Sequence, residues 1–495
     1  MRYITLLCFL LSLSSHAQSI SQIGSDINGE AAGDEFGWSV SLSGDGNVMA
    51  ATAPLNSSGK GHVRVYENIS GSWSQLGSDI DGALNMDWSG YSVSLSDDGK
   101  IIAIGSAYHT QLSGVQPRGH VRIYKYLNGD WSQLGADIDG EFLQDYSGWS
   151  LSLSGDGNEV AIGALGNDGG GSNSGHVRVF SYSNNIWTQV GNDIDGEAAG
   201  DYSGWAVSLS NDGTILAVGA KFNDGNGTDA GHVRVYSYIN NTWTKLANDI
   251  DGEAAGDEFG FSVSLSSDGT KLAVGAKYND GAGSNAGHVR VYNYDNNTWV
   301  QQGSDIDGEG IGDESGYYIS ISGDGTILAI GAPNNDGVNG NGSGHVRLYE
   351  YSNSSWTQLG TDIDGEAVGD QTISSNYLSG TSISLSDGGI LAIGAKKNDG
   401  GGSNSGHVRV FSWTSPGLNS DNCLECTFLS IGDTFTFQGS AHYVVDRAGL
   451  DAAIANNADL TKYCTSKITD LSSLNLGSTF NQDIGAWDVS NVTNM

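Results

Sequence analysis

Four prolines, four cysteines and only 21 basic side chains in 495 residues set the first limits on this chain. With 57 acidic residues the formal charge is -36, which makes nucleic acid and anionic membrane poor partners and cations or basic surfaces better ones. Beyond the first residues no run is apolar enough to cross a bilayer, so membrane insertion is not expected. A helical apolar period is missing throughout. Also missing are a nucleophile–base–acid set, paired carboxylates in an apolar pocket and a glycine loop opening a helix, so the chain is not expected to be an enzyme. Cys423 and Cys426 form a Cys-x-x-Cys without the second ligand pair that zinc needs. A local disulfide, or one to Cys464, is the reading for a secreted chain.

Secretion is expected from the first residues. Met1-Arg2 precedes the apolar run Ile4–Leu11, and Ser15-His16-Ala17 offers a small-residue cleavage site. Residues 1–17 therefore read as a signal peptide that takes Cys8 with it, and localisation as secreted or cell-surface.

What the chain has is repetition. Gly-His-Val-Arg occurs seven times, beginning at Gly61, Gly119, Gly175, Gly231, Gly287, Gly344 and Gly406. A fixed period of this size marks an array of one supersecondary unit. In the copy from Tyr202 to Ala247, Trp205–Ser210 alternates small or polar with apolar residues, and Asp212-Gly213 makes a hairpin signal. Ile215–Ala220 is continuously apolar. His232–Tyr236 and Thr242–Leu246 follow, split by Asn240-Asn241. Four short strands per unit, repeated radially, predict a β-propeller.

The outer-strand pattern headed by Trp73, Trp131, Trp187, Trp243, Trp299 and Trp356 follows only the first six copies. Its counterpart is Ile20-Ser21-Gln22-Ile23-Gly24 at the other end of the chain. The prediction is an all-β, seven-bladed β-propeller over residues 18–413, with four-stranded blades and the N-terminal strand closing blade seven and removing the open edges. Phe36-Gly37-Trp38-Ser39-Val40, Phe259-Gly260-Phe261 and the Gly-Ala ends at Gly219-Ala220 and Gly275-Ala276 resemble the FG-GAP repeat of integrin-α-like seven-bladed propellers. That resemblance implies the propeller fold and an interaction role. It does not carry the family's calcium site, because the first hairpin here is cut to Ser-Gly-Asp-Gly or similar.

Antiparallel order places the acidic blade-to-blade crossings and the Asn-Asp-Gly loops on one rim. Carboxylates at positions one, three, five and nine of the crossing resemble calcium-loop spacing. The complete sets are Asp137, Asp139, Glu141, Asp145; Asp193, Asp195, Glu197, Asp201; Asp249, Asp251, Glu253, Asp257; Asp305, Asp307, Glu309, Asp313; and Asp362, Asp364, Glu366, Asp370. Calcium is thus the one cofactor considered. Against it stands a framework role, with Ile194, Ile250 and Ile306 anchoring the loops and Asp side chains making turns. The His-Arg pairs, present in every blade, read as structural pairs for Asp and Ser. Trp38, Tyr91, Trp149, Trp205, Phe261 and Tyr317 start the innermost strands near the channel mouth, either packing on the next blade or stacking on sugar. Blade two departs from the pattern at Tyr108–Arg118, and the crossing into blade seven at Gln371–Tyr377.

Residues 414–433 read as a linker holding Cys-x-x-Cys. Residues 434–495 read as a small α+β segment, with a strand at Thr434–Phe437 and a helix at Arg447–Ile454. Phe480–Met495 resembles one unit of BspA-like leucine-rich-repeat surface proteins; a solenoid generally needs about three repeats to bury its core, so the natural form is expected to continue into more of them. Together these readings predict a non-enzymatic secreted or surface adhesion protein, a monomeric propeller whose acidic face recognises an extracellular protein or glycan. The alternative is a lectin or carbohydrate-active enzyme using the aromatic ring.

Overall fold

A computed structural model describes residues 20–110, 116–368 and 383–413, together with short strand segments between 417 and 464. The signal-peptide reading, Asp370, the crossing at Gln371–Tyr377, the Cys-x-x-Cys and the final repeat unit lie outside the described residues.

Seven antiparallel sheets follow one another along the chain. In blade four, strands Ala206–Leu209, Ile215–Ala220, His232–Ile239 and Thr242–Lys245 pair in order, with Leu216 opposite Tyr236 and Ser237 opposite Thr244. A fifth element is added to the predicted four. Ile250–Asp251 of the crossing turns back onto the third strand, placing Ile250 opposite Val233 and Asp251 opposite His232. This docking buries the isoleucine, and Ile80, Ile138, Ile194 and Ile306 are buried in the same way. The anchoring role expected of Ile194, Ile250 and Ile306 is what the structure shows.

Blade seven is made from both ends of the chain. Ile20–Gln22 lies outside His407–Trp413 in the sheet, which continues to Ile390–Ala395 and Ile383–Leu385. The Ile23 N–H donates to the Val410 carbonyl at 2.7 Å, and Ile27 and Asn28 stand opposite Val408 and His407. The predicted closure, blade number and all-β class therefore hold.

Apolar layers between consecutive blades form the core. One layer joins Val233, Val235 and Ile250 of blade four to Val263, Leu265, Leu272 and Val274 of blade five. Such layers require close backbone approach. A Cβ on Gly219 would stand 2.2 Å from the carbonyl oxygen of Gly260 in the next blade.

Two cyclic hydrogen-bond systems join the innermost strands. Ser41, Ser94, Ser152, Ser208, Ser264, Ser320 and Ser384 each accept, through Oγ, the backbone N–H of Leu95, Leu153, Leu209, Leu265, Ile321, Leu385 and Leu42 respectively. The donor always belongs to the following blade, and Leu42 closes the cycle. On the hairpin rim, a chain of N–H to carbonyl bonds runs Asp387, Gly44, Asp97, Gly155, Asn211, Ser267, Gly323. The Gly323 N–H then donates to the Asp387 carboxylate. An inner strand facing the axis has no sheet neighbour on that side, so these bonds satisfy groups that would otherwise be orphaned.

The outer strands are tied by tryptophan. The indole N–H groups of Trp131, Trp187, Trp243 and Trp356 donate to the carbonyls of Leu76, Leu134, Val190 and Gln302 in the preceding blade. Glycine follows each of those carbonyls with positive φ, and a Cβ there would stand only 2.8–2.9 Å from the indole. At the junction of blades four and five Ala247 takes that place at φ 67°, and the indole N–H of Trp299 has no partner among the described residues.

Residues beyond the propeller form a second unit with its own short strands. Thr434–Phe437 pairs antiparallel with Ser440–Val444, which pairs parallel with Tyr463–Cys464.

Candidate functional site

The crossings and the loops between second and third strands share one rim, and each crossing disperses its four carboxylates. The ninth-position residue is internal. Asp145, Asp201, Asp257 and Asp313 are buried, accept backbone N–H groups of their own loops, and accept the side-chain amides of Asn167, Asn223, Asn279 and Asn335. The third residue is held by its backbone: Asp139, Asp195, Asp251, Asp307 and Asp364 stand opposite the third-strand histidines. The carbonyls of Asp139, Asp195, Asp307 and Asp364 accept Nη2 of Arg178, Arg234, Arg347 and Arg409 from the following blade.

Position one turns to its own blade. Asp137, Asp193, Asp305 and Asp362 accept the amides of Gln133, Gln189, Gln301 and Gln358, while Asp249 accepts Lys245. Burial opposes ionisation of Asp305, but hydrogen bonds from Arg290 and Gln301 outweigh it and hold the carboxyl below its usual range. Position five turns the other way, to the following blade. Glu141, Glu197 and Glu309 lie 3.7, 3.6 and 3.6 Å from the guanidinium groups of Arg178, Arg234 and Arg347. Glu253 contacts Arg290 directly, and Glu366 lies 4.0 Å from Arg409. Carboxylates of one crossing thus serve different partners. Those that do meet come from successive crossings and converge on a histidine: Glu141 and Asp193 on His176, Glu197 and Asp249 on His232, Glu253 and Asp305 on His288.

The six aromatics expected at the channel mouth form a continuous arc. Ring centroids are 5.5 Å apart for Trp38 and Tyr91, 4.9 Å for Tyr91 and Trp149, and 5.0 Å for Trp149 and Trp205. The arc continues at 5.4 Å to Phe261 and 4.5 Å to Tyr317. All six are buried, and Trp149, Trp205, Phe261 and Tyr317 line an axial cavity together with Val93, Leu151, Val207 and Val263. Sequence reading missed the lysines above them. Lys221 Nζ stands 3.6 Å from the Trp205 ring centroid and Lys277 Nζ 4.2 Å from that of Phe261, both paired with buried Glu258. Lys396 Nζ stands 4.0 Å from the Trp38 ring centroid. Burial pushes the Lys221 amine down to about 8 against the pull of Glu258, and Lys396 to about 7.

Blade two breaks the rim pattern. Its incoming crossing carries Ala83-Leu84-Asn85-Met86 where Glu197-Ala198-Ala199-Gly200 stands elsewhere, and its outgoing crossing carries Phe142-Leu143-Gln144. Leu84, Met86, Phe142 and Leu143 are exposed, Met86 at 69% and Phe142 at 67%. Beside them Trp88, Tyr108 and Tyr146 are half-buried and in ring contact, at 4.4 Å for Trp88 with Tyr108 and 5.6 Å for Tyr108 with Tyr146. Met86 at φ 65° and Gln144 at φ 71° occupy the left-handed conformation that Gly200, Gly256 and Gly312 take in other crossings. His109 replaces the loop asparagine, bonds Asp87 at 2.9 Å and stacks on His120 at 3.9 Å.

Comparison with known proteins agrees with the repeat. The FG-GAP repeat matches residues 139–180, 194–236 and 246–292. A family described as a Mycoplasma protein of unknown function, DUF285, matches residues 447–495. No curated protein matches the sequence. Among solved structures, a candidate 6-phosphogluconolactonase from Bacteroides uniformis is 13% identical with a TM-score of 0.47, over 69% of this chain and 89% of its own. The periplasmic gluconolactonase of Pseudomonas aeruginosa is 17% identical with a TM-score of 0.46, over 67% and 85%. Hydrazine synthase of Kuenenia stuttgartiensis is 12% identical at 0.46, over 75% and 94%.

Proposed function

We propose that this FG-GAP-repeat propeller is a non-enzymatic binding module of a secreted or surface-displayed protein, acting in adhesion by recognising an extracellular protein or glycan on the crossing rim. Blade two is the contact. The observation that carries this reading is Met86: a large apolar side chain, 69% exposed, in a left-handed backbone conformation that other crossings give to glycine. That conformation costs a non-glycine residue about 1–2 kcal/mol, and exposure of the thioether returns nothing to folding. Leu84, Phe142 and the Trp88–Tyr108–Tyr146 rings surround it with the apolar and aromatic surface that recognition sites use. The leader-like residues 1–17 and the charge of -36 support an extracellular setting and a basic or neutral partner.

The test separates stability from recognition. Met86→Gly is expected to raise stability by about 1 kcal/mol in urea unfolding, while Met86→Gly with Phe142→Ala lowers binding at least tenfold in a cell-surface and glycan-array screen. Unchanged binding in the double variant defeats the proposal. Sugar binding that survives there but is lost in Trp149→Ala or Trp205→Ala assigns recognition to the aromatic arc, the carbohydrate reading.

A further inference from the structure

We infer that the blade junctions on this rim are binding sites for a divalent first-row cation such as zinc, one ion tying together two crossings and the blade between them. Each site joins a glutamate of the incoming crossing, the third-strand histidine and an aspartate of the outgoing crossing. In Glu141–His176–Asp193, Glu197–His232–Asp249 and Asp26–Glu366–His407 the three ligand atoms lie within 4.8 Å of one another. In blade six, His345 Nδ1 stands 3.8 Å from both Glu309 and Asp362. His176 Nδ1 stands 4.0 Å from Asp193. These separations are too long for hydrogen bonds. They fit ligands about 2.0–2.2 Å from a shared ion after slight contraction.

The histidine supplies the observation independent of the carboxylates. His176 and His345 are 1% exposed, neither ring makes a hydrogen bond among the described residues, and Nδ1, a nitrogen able to coordinate, is the atom that faces the carboxylates. A buried imidazole left short of partners is costly unless a ligand uses it. The aspartate and glutamate are a third to a half exposed, so an ion can arrive with its waters and keep some of them. One nitrogen and two carboxylate oxygens suit zinc, with open positions for water.

Arginine decides which junctions are available. In blades three, four, six and seven its Nη2 is held by the carbonyl of the preceding crossing, and the glutamate stays 3.6–4.0 Å from the guanidinium. In blades one and five, Arg64 and Arg290 contact Glu30 and Glu253 directly and occupy the place of the cation. Blade two has Ala83 for glutamate and His109 stacked on its histidine, so the site is dismantled there.

Equilibrium dialysis of the full chain, stripped with chelator and returned to micromolar zinc, is expected to retain about one ion for each of blades three, four, six and seven. Glu197→Gln and, separately, Asp249→Asn should each remove about one ion and leave the melting temperature of the stripped protein unchanged. Glu253→Gln should remove none. Cobalt in place of zinc should give a visible absorption that falls by about a quarter in Glu197→Gln. No retained metal, or a count identical in wild type, Glu197→Gln and Asp249→Asn, overturns the inference, the latter by placing the ions on the acidic surface at large.

Discussion

Lowering the pH from 6.5 to 5 is expected to destabilise the propeller steeply. Burial, reinforced by the neighbouring arginine, pushes His176, His232 and His345 down to about 4. Burial with His109 and Arg122 takes His120 to about 3. His62 and His288 are lowered by burial as well. The sign follows from proton counting. Above 6.5 neither the folded nor the unfolded chain protonates these rings. Between 6.5 and about 4 the unfolded chain binds protons that the folded chain refuses, so stability falls as pH falls. A shift from 6.5 to about 4 is on the order of 3 kcal/mol per histidine in full, of which about 2 kcal/mol is lost by pH 5. Several such residues acting together rival the roughly 5–15 kcal/mol of a whole domain. Glu309 and Asp195, held high by burial, act in the opposite sense over the carboxylate range, which is why the window to examine ends near pH 5. Urea unfolding at pH 7.5, 6.5, 5.5 and 5 measures it. Replacing His176, His232 and His345 by glutamine should flatten the profile whatever it does to stability at pH 7.5. A profile equally steep in that variant assigns acid lability elsewhere.

Gly219→Ala should cost about 3 kcal/mol or more, although it adds a single methyl group. Its Cβ would lie 2.2 Å from the Gly260 carbonyl oxygen, a backbone atom that moves only if blade five moves. The same approach recurs between Gly163 and Gly204 and between Gly275 and Gly316, so the ring has no slack to absorb the shift. Gly256→Ala is the control. Gly256 has φ 89° and open space around its Cβ position, so alanine there should cost only the left-handed penalty of about 1–2 kcal/mol. Equal losses in the two variants would mean that blade contact is not what selects glycine at 219.

These two features show which parts of the molecule the sequence discloses. Period-2 strands, Asp-Gly hairpins and seven Gly-His-Val-Arg strings are local signals, and they sufficed for the blades. The missing seventh Trp strand, set beside Ile20–Gly24, sufficed for the closure. The rim is another matter. Glu141 and Asp193 are separated by a whole blade, and only the rotation from one blade to the next brings them to His176. Asp137 and Glu141, four residues apart in one loop, turn to different blades, so carboxylate spacing along the chain was a poor guide to which oxygens meet. The serine cycle had a visible trace, a serine in every first strand, but its acceptor role depends on the N–H of the next blade. The chain of turn amides on the hairpin rim left none, since backbone groups are the same in every residue. Met86 went unremarked in the sequence, and became informative only with its φ and its exposure.

Closure by the N-terminal strand is the premise on which the rims, the junction sites and the blade-two surface all depend, and one cross-link tests it. Ser21 Oγ and Ser412 Oγ lie 3.3 Å apart, although the residues are 391 apart in sequence. In a Ser21→Cys, Ser412→Cys double variant, peptide mass spectrometry after non-reducing digestion should find positions 21 and 412 joined in nearly every molecule, with a melting temperature that falls on reduction. Free thiols at both positions under the same oxidising conditions would contradict the closed ring.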